Sequence, residues 1–152
     1  MLNERRNVLK KLFASLAGIA GLNVVAKAAS NTTFDKQAKN VVYDQEIPLF
    51  SSSTKHGGFV FLAGIGAHFE GDIKAHTDHV LKEMENQLKK AGSSMDKVLK
   101  VSVFLHDLND YKAMNEVFRG RFGSNPPVRT TVAVYGGVPG NSLVEMDCIA
   151  AV

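Results

Sequence analysis

From Val41 onward the chain moves between two hydrophobic periods, and each change of period marks an element. Val41-Val42-Tyr43 is a first short apolar run and predicts a strand. Ser51-Ser52-Ser53-Thr54-Lys55-His56-Gly57-Gly58 has the composition of a turn. Phe59 to Gly66 is a continuous apolar run of strand length that ends in glycines. From Lys74 to Ala91 the spacing becomes helical: Val80, Met84, Leu88 and Ala91 recur every third or fourth residue with charges between them. Gly92 follows as the residue that ends this helix. Val98 to His106 alternates, placing Leu99, Val101, Val103 and Leu105 on one face of a strand. Asp107-Leu108-Asn109-Asp110 offers capping oxygens, and Tyr111, Met114, Val117, Phe118 and Phe122 mark a second amphipathic helix closed by Gly123. Two further β-branched runs, Val128–Val134 and Leu143–Val152, flank the turn Gly136–Ser142 and predict a closing hairpin.

The predicted order is ββαβαββ. Two helices and a mixed, largely antiparallel sheet of about six short strands make a two-layer α+β domain. One sheet face packs the helices. The other also carries β-branched residues, so a domain this small is a candidate for self-association through its sheet. No internal repeat or low-complexity tract interrupts the pattern.

Length and charge narrow the picture. The 152 residues allow one domain. The net charge of +3 comes from the first 28 residues, where Arg5, Arg6, Lys10, Lys11 and Lys27 face only Glu4. Without them 13 Lys and Arg (18 − 5) stand against 14 Asp and Glu (15 − 1), a net of −1. No clustered cationic face for a nucleic-acid backbone is therefore expected. Residues 1–28 have the form of an export signal, with a charged start, an apolar core at Leu12–Leu22 and Ala26-Lys27-Ala28 as the cleavage site. The core is about half of the ~20 residues that a spanning helix needs, so a periplasmic protein free of the membrane after cleavage is expected. Arg5-Arg6 resembles a twin-arginine signal, although Glu4 stands where such signals usually carry Ser or Thr. Residues 29–40 are expected to be a polar, poorly ordered start of the mature chain, with the domain at 41–152. Cys148, the one cysteine, excludes an internal disulfide and is expected to be a buried, small apolar residue.

Two charges stand out on the last apolar strands. Arg129 opens one run and Glu145 lies inside the other. Arg offers a planar fork for a carboxylate, and Glu a base that can hold a water. The two could equally pair with each other or with surface groups. His76 and His79 are spaced for one helix face but have no third ligand nearby, so no metal site is expected. Gly64-Ile65-Gly66 is too short for a dinucleotide loop.

The element order resembles that of the RidA/YjgF reactive-intermediate deaminase family. The likeness spans residues 41–152 and is strongest in Val101–Asp110, Met114-Asn115, Pro127-Val128-Arg129 and Val144-Glu145-Met146. It implies a chorismate-mutase-like fold, a homotrimer with clefts between subunits, and hydrolysis of enamines and imines of 2-amino acids to 2-oxo acids and ammonia without cofactor or metal. By the same resemblance Arg129 grips a substrate carboxylate, Glu145 positions a water, and Gly64 and Asn115 line the cleft. Phe50 stands where many such deaminases carry tyrosine, Ala63 where they carry serine and Thr131 where they carry cysteine. The expected partners are a small carboxylate-bearing imine or enamine and further copies of the chain. The alternative is a non-catalytic trimer that binds a small carboxylate or acts as a holdase.

Overall fold

Apolar runs punctuated by glycine turns fold here into one sheet with two helices on one face. The computed structural model describes residues 35–152. The expected export segment, 1–28, and the start of the expected polar N-terminus, 29–34, lie outside the described residues. The strands are β1 (Gln37–Asp44), β2 (Ile47–His56), β3 (Phe59–Gly66), β4 (Val98–Leu105), β5 (Val128–Ala133) and β6 (Val144–Ala151). The helices are α1 (Ile73–Lys90), between β3 and β4, and α2 (Tyr111–Phe118), between β4 and β5. The six strands lie in the order β1-β2-β3-β6-β4-β5, with β4 and β5 parallel and every other pair antiparallel. This is the α+β, two-helix mixed sheet that the periodicity predicts.

Three local expectations are corrected. Ser51–His56 is strand, not turn, so β2 adds a strand to the predicted order and only Gly57-Gly58 turns. Ser51 and Ser53 pair with β1, and Ser53 to His56 also pair with β3, so the paired backbone outweighs composition. The last two runs are not a hairpin: β6 lies between β3 and β4, and β5 pairs with β4 instead. Finally, a register shift between Val98 and Lys100 moves Val98 into the core and turns Leu99 out to solvent. Strand β1 also begins at Gln37, inside the segment expected to be poorly ordered.

The core fills the space between sheet and helices. Val60, Leu62, Val101, Val103, Leu105, Val144, Met146, Cys148 and Ala150 meet Val80, Leu81, Met84 and Leu88 of α1 and Met114 of α2. Asp72 caps α1, its Oδ1 accepting from the Ala75 N–H at 2.8 Å. Gly92, at φ +78°, ends the helix: its N–H reaches Lys89 O at 3.0 Å and the Ser93 N–H reaches Leu88 O at 2.8 Å. A residue with a Cβ is disfavoured at that φ, which is why the helix stops where glycine stands. Helix α2 is shorter than predicted, ending at Phe118 before Phe122 is reached.

Among the described residues no helix lies over the opposite face of the sheet. Alternation turns Phe59, Phe61, Phe104, Val132 and Ile149 that way, and Phe59, Phe61 and Val132 are exposed. The uncovered apolar surface is thus this face, not the Val101–Leu105 face, which the helices cover. Before Ser53 the strand β2 pairs only with β1, and the ribbon exposes Tyr43, Ile47, Leu49 and Phe50.

Candidate functional site

Arg129 and Glu145 come from strands on either side of β4, and strand alternation sends them to opposite faces. Arg129 pairs with Val101, whose side chain is in the core, so Arg129 points to the helix side. Glu145 sits between Val144 and Met146, both buried, and points to the open side across from Phe104. Within one protomer the two charges are therefore not partners. Among the described residues Arg129 forms no ion pair.

Neutral groups hold Arg129 instead. Its Nη1 donates to Asn115 Oδ1 at 2.8 Å and its Nη2 donates to Tyr111 Oη at 3.2 Å, both from α2. The guanidinium carbon lies 4.6 Å from the centroid of the Phe118 ring and 5.7 Å from that of Tyr111. Two of its five N–H groups are engaged, and the fork keeps its full charge. Asn115 is thus a support for Arg129. Leu108, Tyr111, Arg129 and Thr131 line a cleft of about 540 Å³. Thr131 is two residues beyond Arg129 on the same side of β5, and its hydroxyl is buried with no hydrogen-bond partner. A buried hydroxyl in that state costs free energy unless something bonds to it. The cleft can receive a planar anion on Arg129 and offers a further donor beside it.

Glu145 has its own surroundings. A Cβ built on Gly64 would collide with the Glu145 carboxylate, so that carboxylate lies directly over the glycine backbone. Gly64 falls where β3 shifts register between Leu62 and Ile65, and the bulge opens the strand at this point. Glu145 also borders a hollow of about 180 Å³ with Phe104, Val134, Gly137, Val138 and Pro139. The segment leading into Glu145 is tied down. Ser142 Oγ accepts from the Ala67 N–H at 2.8 Å and donates to Val144 O at 2.6 Å. His76 Nδ1 accepts from the Leu143 N–H at 3.1 Å, so the other ring nitrogen carries the proton and donates to Phe69 O at 2.8 Å. His76 is a buried brace between two loops, with both nitrogens engaged.

The six candidate residues fall into two sets and one outlier. Arg129, Thr131 and Asn115 gather on the helix side. Glu145 and Gly64 gather on the open side. Phe50 lies exposed on the β1–β2 ribbon and borders neither cleft. Sequence reasoning missed Tyr111 and Ser142. Tyr111 reads as one more apolar position of α2, and its hydroxyl becomes informative only when seen against Arg129. Ser142 sits in a loop, where serine is ordinary.

A family model described as Endoribonuclease L-PSP matches residues 43–152. A RutC family protein of Pyrococcus abyssi is 38% identical over 124 residues, covering 74% of this chain and 97% of that protein. The chloroplastic Reactive Intermediate Deaminase A of Arabidopsis thaliana is 28% identical over 152 residues, covering 90% of this chain and 81% of that protein. A crystal structure from Yersinia pestis, of a protein of unknown function in the conserved Rid protein family, superposes with a TM-score of 0.69 at 29% identity, covering 78% of this chain and 100% of that one.

Proposed function

The chain belongs to the endoribonuclease L-PSP family, and from that premise we propose that it hydrolyses 2-imino and 2-enamino acids to 2-oxo acids and ammonia. The observation that carries this reading is the Arg129 cleft, where a charged fork braced by neutral groups stands beside a buried, unpartnered hydroxyl. That combination suits a small carboxylate. The likeness to a protein named reactive intermediate deaminase supplies the reaction class.

In this reading Arg129 fixes the substrate carboxylate and brings the imine carbon to a set position. Glu145 takes a proton from a water, whose oxygen forms a bond to the protonated imine carbon. The resulting tetrahedral amino alcohol receives that proton on nitrogen, the C–N bond breaks as the hydroxyl proton returns to the Glu145 carboxylate, and ammonia leaves with the carbonyl formed. An enamine enters the same path after protonation at its β-carbon. Because Arg129 and Glu145 face opposite sides of one sheet, the reading requires that one copy supply the fork and a neighbour the base. A homotrimer that seats the β5 edge of one copy, which carries Arg129, on the open face of the next, which carries Glu145, meets that need. The same reading sets the protein in the periplasm, delivered by the export-like segment at residues 1–28; intact Met1 in cytosolic fractions of the host, read by mass spectrometry, would rule that out.

A second reading, a non-catalytic carboxylate-binding or holdase-like trimer, draws on Phe50 and Ala63, which lack the hydroxyls many deaminases carry. RNA cleavage, which the family description suggests, draws little from residues 35–152, where 13 Lys and Arg face 14 Asp and Glu. The deciding experiment generates imines with an amino-acid oxidase and follows their decay. Wild type accelerates the decay. Arg129→Ala lowers kcat/KM by roughly 10²–10³-fold, whereas Glu145→Gln lowers kcat with KM little changed. A wild type no faster than the uncatalysed rate across several amino acids leaves the binding reading in the lead.

A further inference from the structure

We propose that the Tyr111 phenol is a second recognition group of the Arg129 cleft, donating its own proton to the carboxylate that the arginine holds. The inference rests on the reading of that cleft as a carboxylate site. Arg129 leans on two oxygens that differ in kind. Asn115 Oδ1 has no proton to give, whereas the Tyr111 hydroxyl accepts from Nη2 and still carries one. That proton has no acceptor among the described residues. It cannot point at the guanidinium, so it points away from it, and the ring is part of the cleft wall with Leu108 and Thr131. Accepting from a cation polarises the O–H and makes it a stronger donor.

The phenol is also well placed to be read as a fixed group. Tyr111 is the first residue of α2, directly after a turn capped by Asp107, whose Oδ1 accepts from the Asn109 N–H at 2.8 Å. The Arg129 guanidinium carbon is held 4.6 Å from the centre of the Phe118 ring. The distance between the two donors is thus set by a helix and a strand, not by a mobile loop. Arg129 and Tyr111 each offer a proton to the space that Leu108 and Thr131 also line, and no carboxylate among the described residues lines it. The ligand end that suits them is an acceptor-only group, a carboxylate, with its short organic remainder against Leu108.

The test is calorimetric titration of the full chain with pyruvate, a simple 2-oxo acid, and with its neutral counterpart pyruvamide. Tyr111→Phe keeps the ring and its contact with Arg129 but removes the acceptor and the donor. It is expected to weaken pyruvate binding about tenfold or more and pyruvamide binding much less, because hydrogen bonds to a charged acceptor are the stronger ones. In the imine assay the same variant raises KM and leaves kcat nearly unchanged. If Tyr111→Phe binds pyruvate like wild type while Arg129→Ala loses it, the tyrosine is a bystander and the cleft reading stands alone. Equal loss of both ligands makes Tyr111 a structural prop and overturns the recognition role. If wild type fails to bind pyruvate at millimolar concentrations, or Arg129→Ala binds it as well as wild type, the cleft reading falls and takes this inference with it.

Discussion

Cys148 shows how far a single position can be read from its setting. It faces the core from β6, and burial, helped by the neighbouring Asp147 charge, pushes its thiol up from 9.0 to about 12. The folded protein therefore holds this proton where the unfolded chain releases it. Stability from this group is complete below pH 9 and falls as pH rises toward 12. Wild type should lose about 2 kcal/mol between pH 9 and pH 10.5 beyond whatever Cys148→Ala loses, as read by urea unfolding of both. Parallel slopes for the two proteins would refute the assignment. Gly64 is the second residue whose setting makes a demand. Alanine there drives its Cβ into the Glu145 carboxylate, the free end of a flexible side chain. Gly64→Ala should therefore fold, with stability within about 1 kcal/mol of wild type, yet lose at least tenfold in imine hydrolysis because the base is displaced. Unaltered activity with an unaltered melting temperature would separate Gly64 from the chemistry. Cys148 was legible before the fold was known, as a small buried apolar group. The reason Gly64 must be glycine was not, because Glu145 is 81 residues away along the chain.

At the level of elements, periodicity found both helices and the apolar strands β3, β4, β5 and β6, since each buries one face and that face is written in the spacing. It failed where pairing, not side-chain burial, decides the conformation. The serine run of β2 pairs along β1, meets β3 only from Ser53 onward, and buries only Ser53. The last two runs are adjacent in sequence and look like a hairpin, yet β4 separates them because β5 returns through α2 to lie parallel to β4. A bulge cannot be seen in alternation, so Leu99 was assigned to the wrong face. The elements that bear the site are joined by small polar ties, and Ser142 is the one to remove. Its hydroxyl accepts the Ala67 N–H and gives its proton to Val144 O, in a fully buried place. Ser142→Ala leaves both backbone groups without that partner and should cost about 2–4 kcal/mol in urea unfolding. It should also loosen the segment that carries Glu145, seen as faster amide exchange at Ala67 and Leu143. A loss under about 0.5 kcal/mol would mean that water replaces the hydroxyl and that the tie is dispensable.

At the scale of the whole molecule, the two charges that the sequence marks as a pair stand on opposite faces of one sheet. That separation turns a question about the site into one about assembly. If the proposed hydrolysis needs Arg129 from one copy and Glu145 from the next, each variant protein still carries one intact half of every site. Arg129→Ala trimers have good bases and no forks, and Glu145→Gln trimers the reverse. Co-expressed in equal amounts, the two chains should mix at random. At any one interface the copy giving the fork must be a Glu145→Gln chain and the copy giving the base an Arg129→Ala chain, so about a quarter of interfaces become whole. The mixture should recover roughly 25% of wild-type activity per site, although each parent alone has almost none. Light scattering on the same sample should give three times the chain mass. A mixture as inactive as its parents, from a protein that is demonstrably trimeric, would place both groups of the working site within one chain. Glu145 would then have to act across the sheet edge or not at all. A stable monomer at micromolar concentration would remove the neighbour altogether and leave Arg129 as the centre of a binding site without a base.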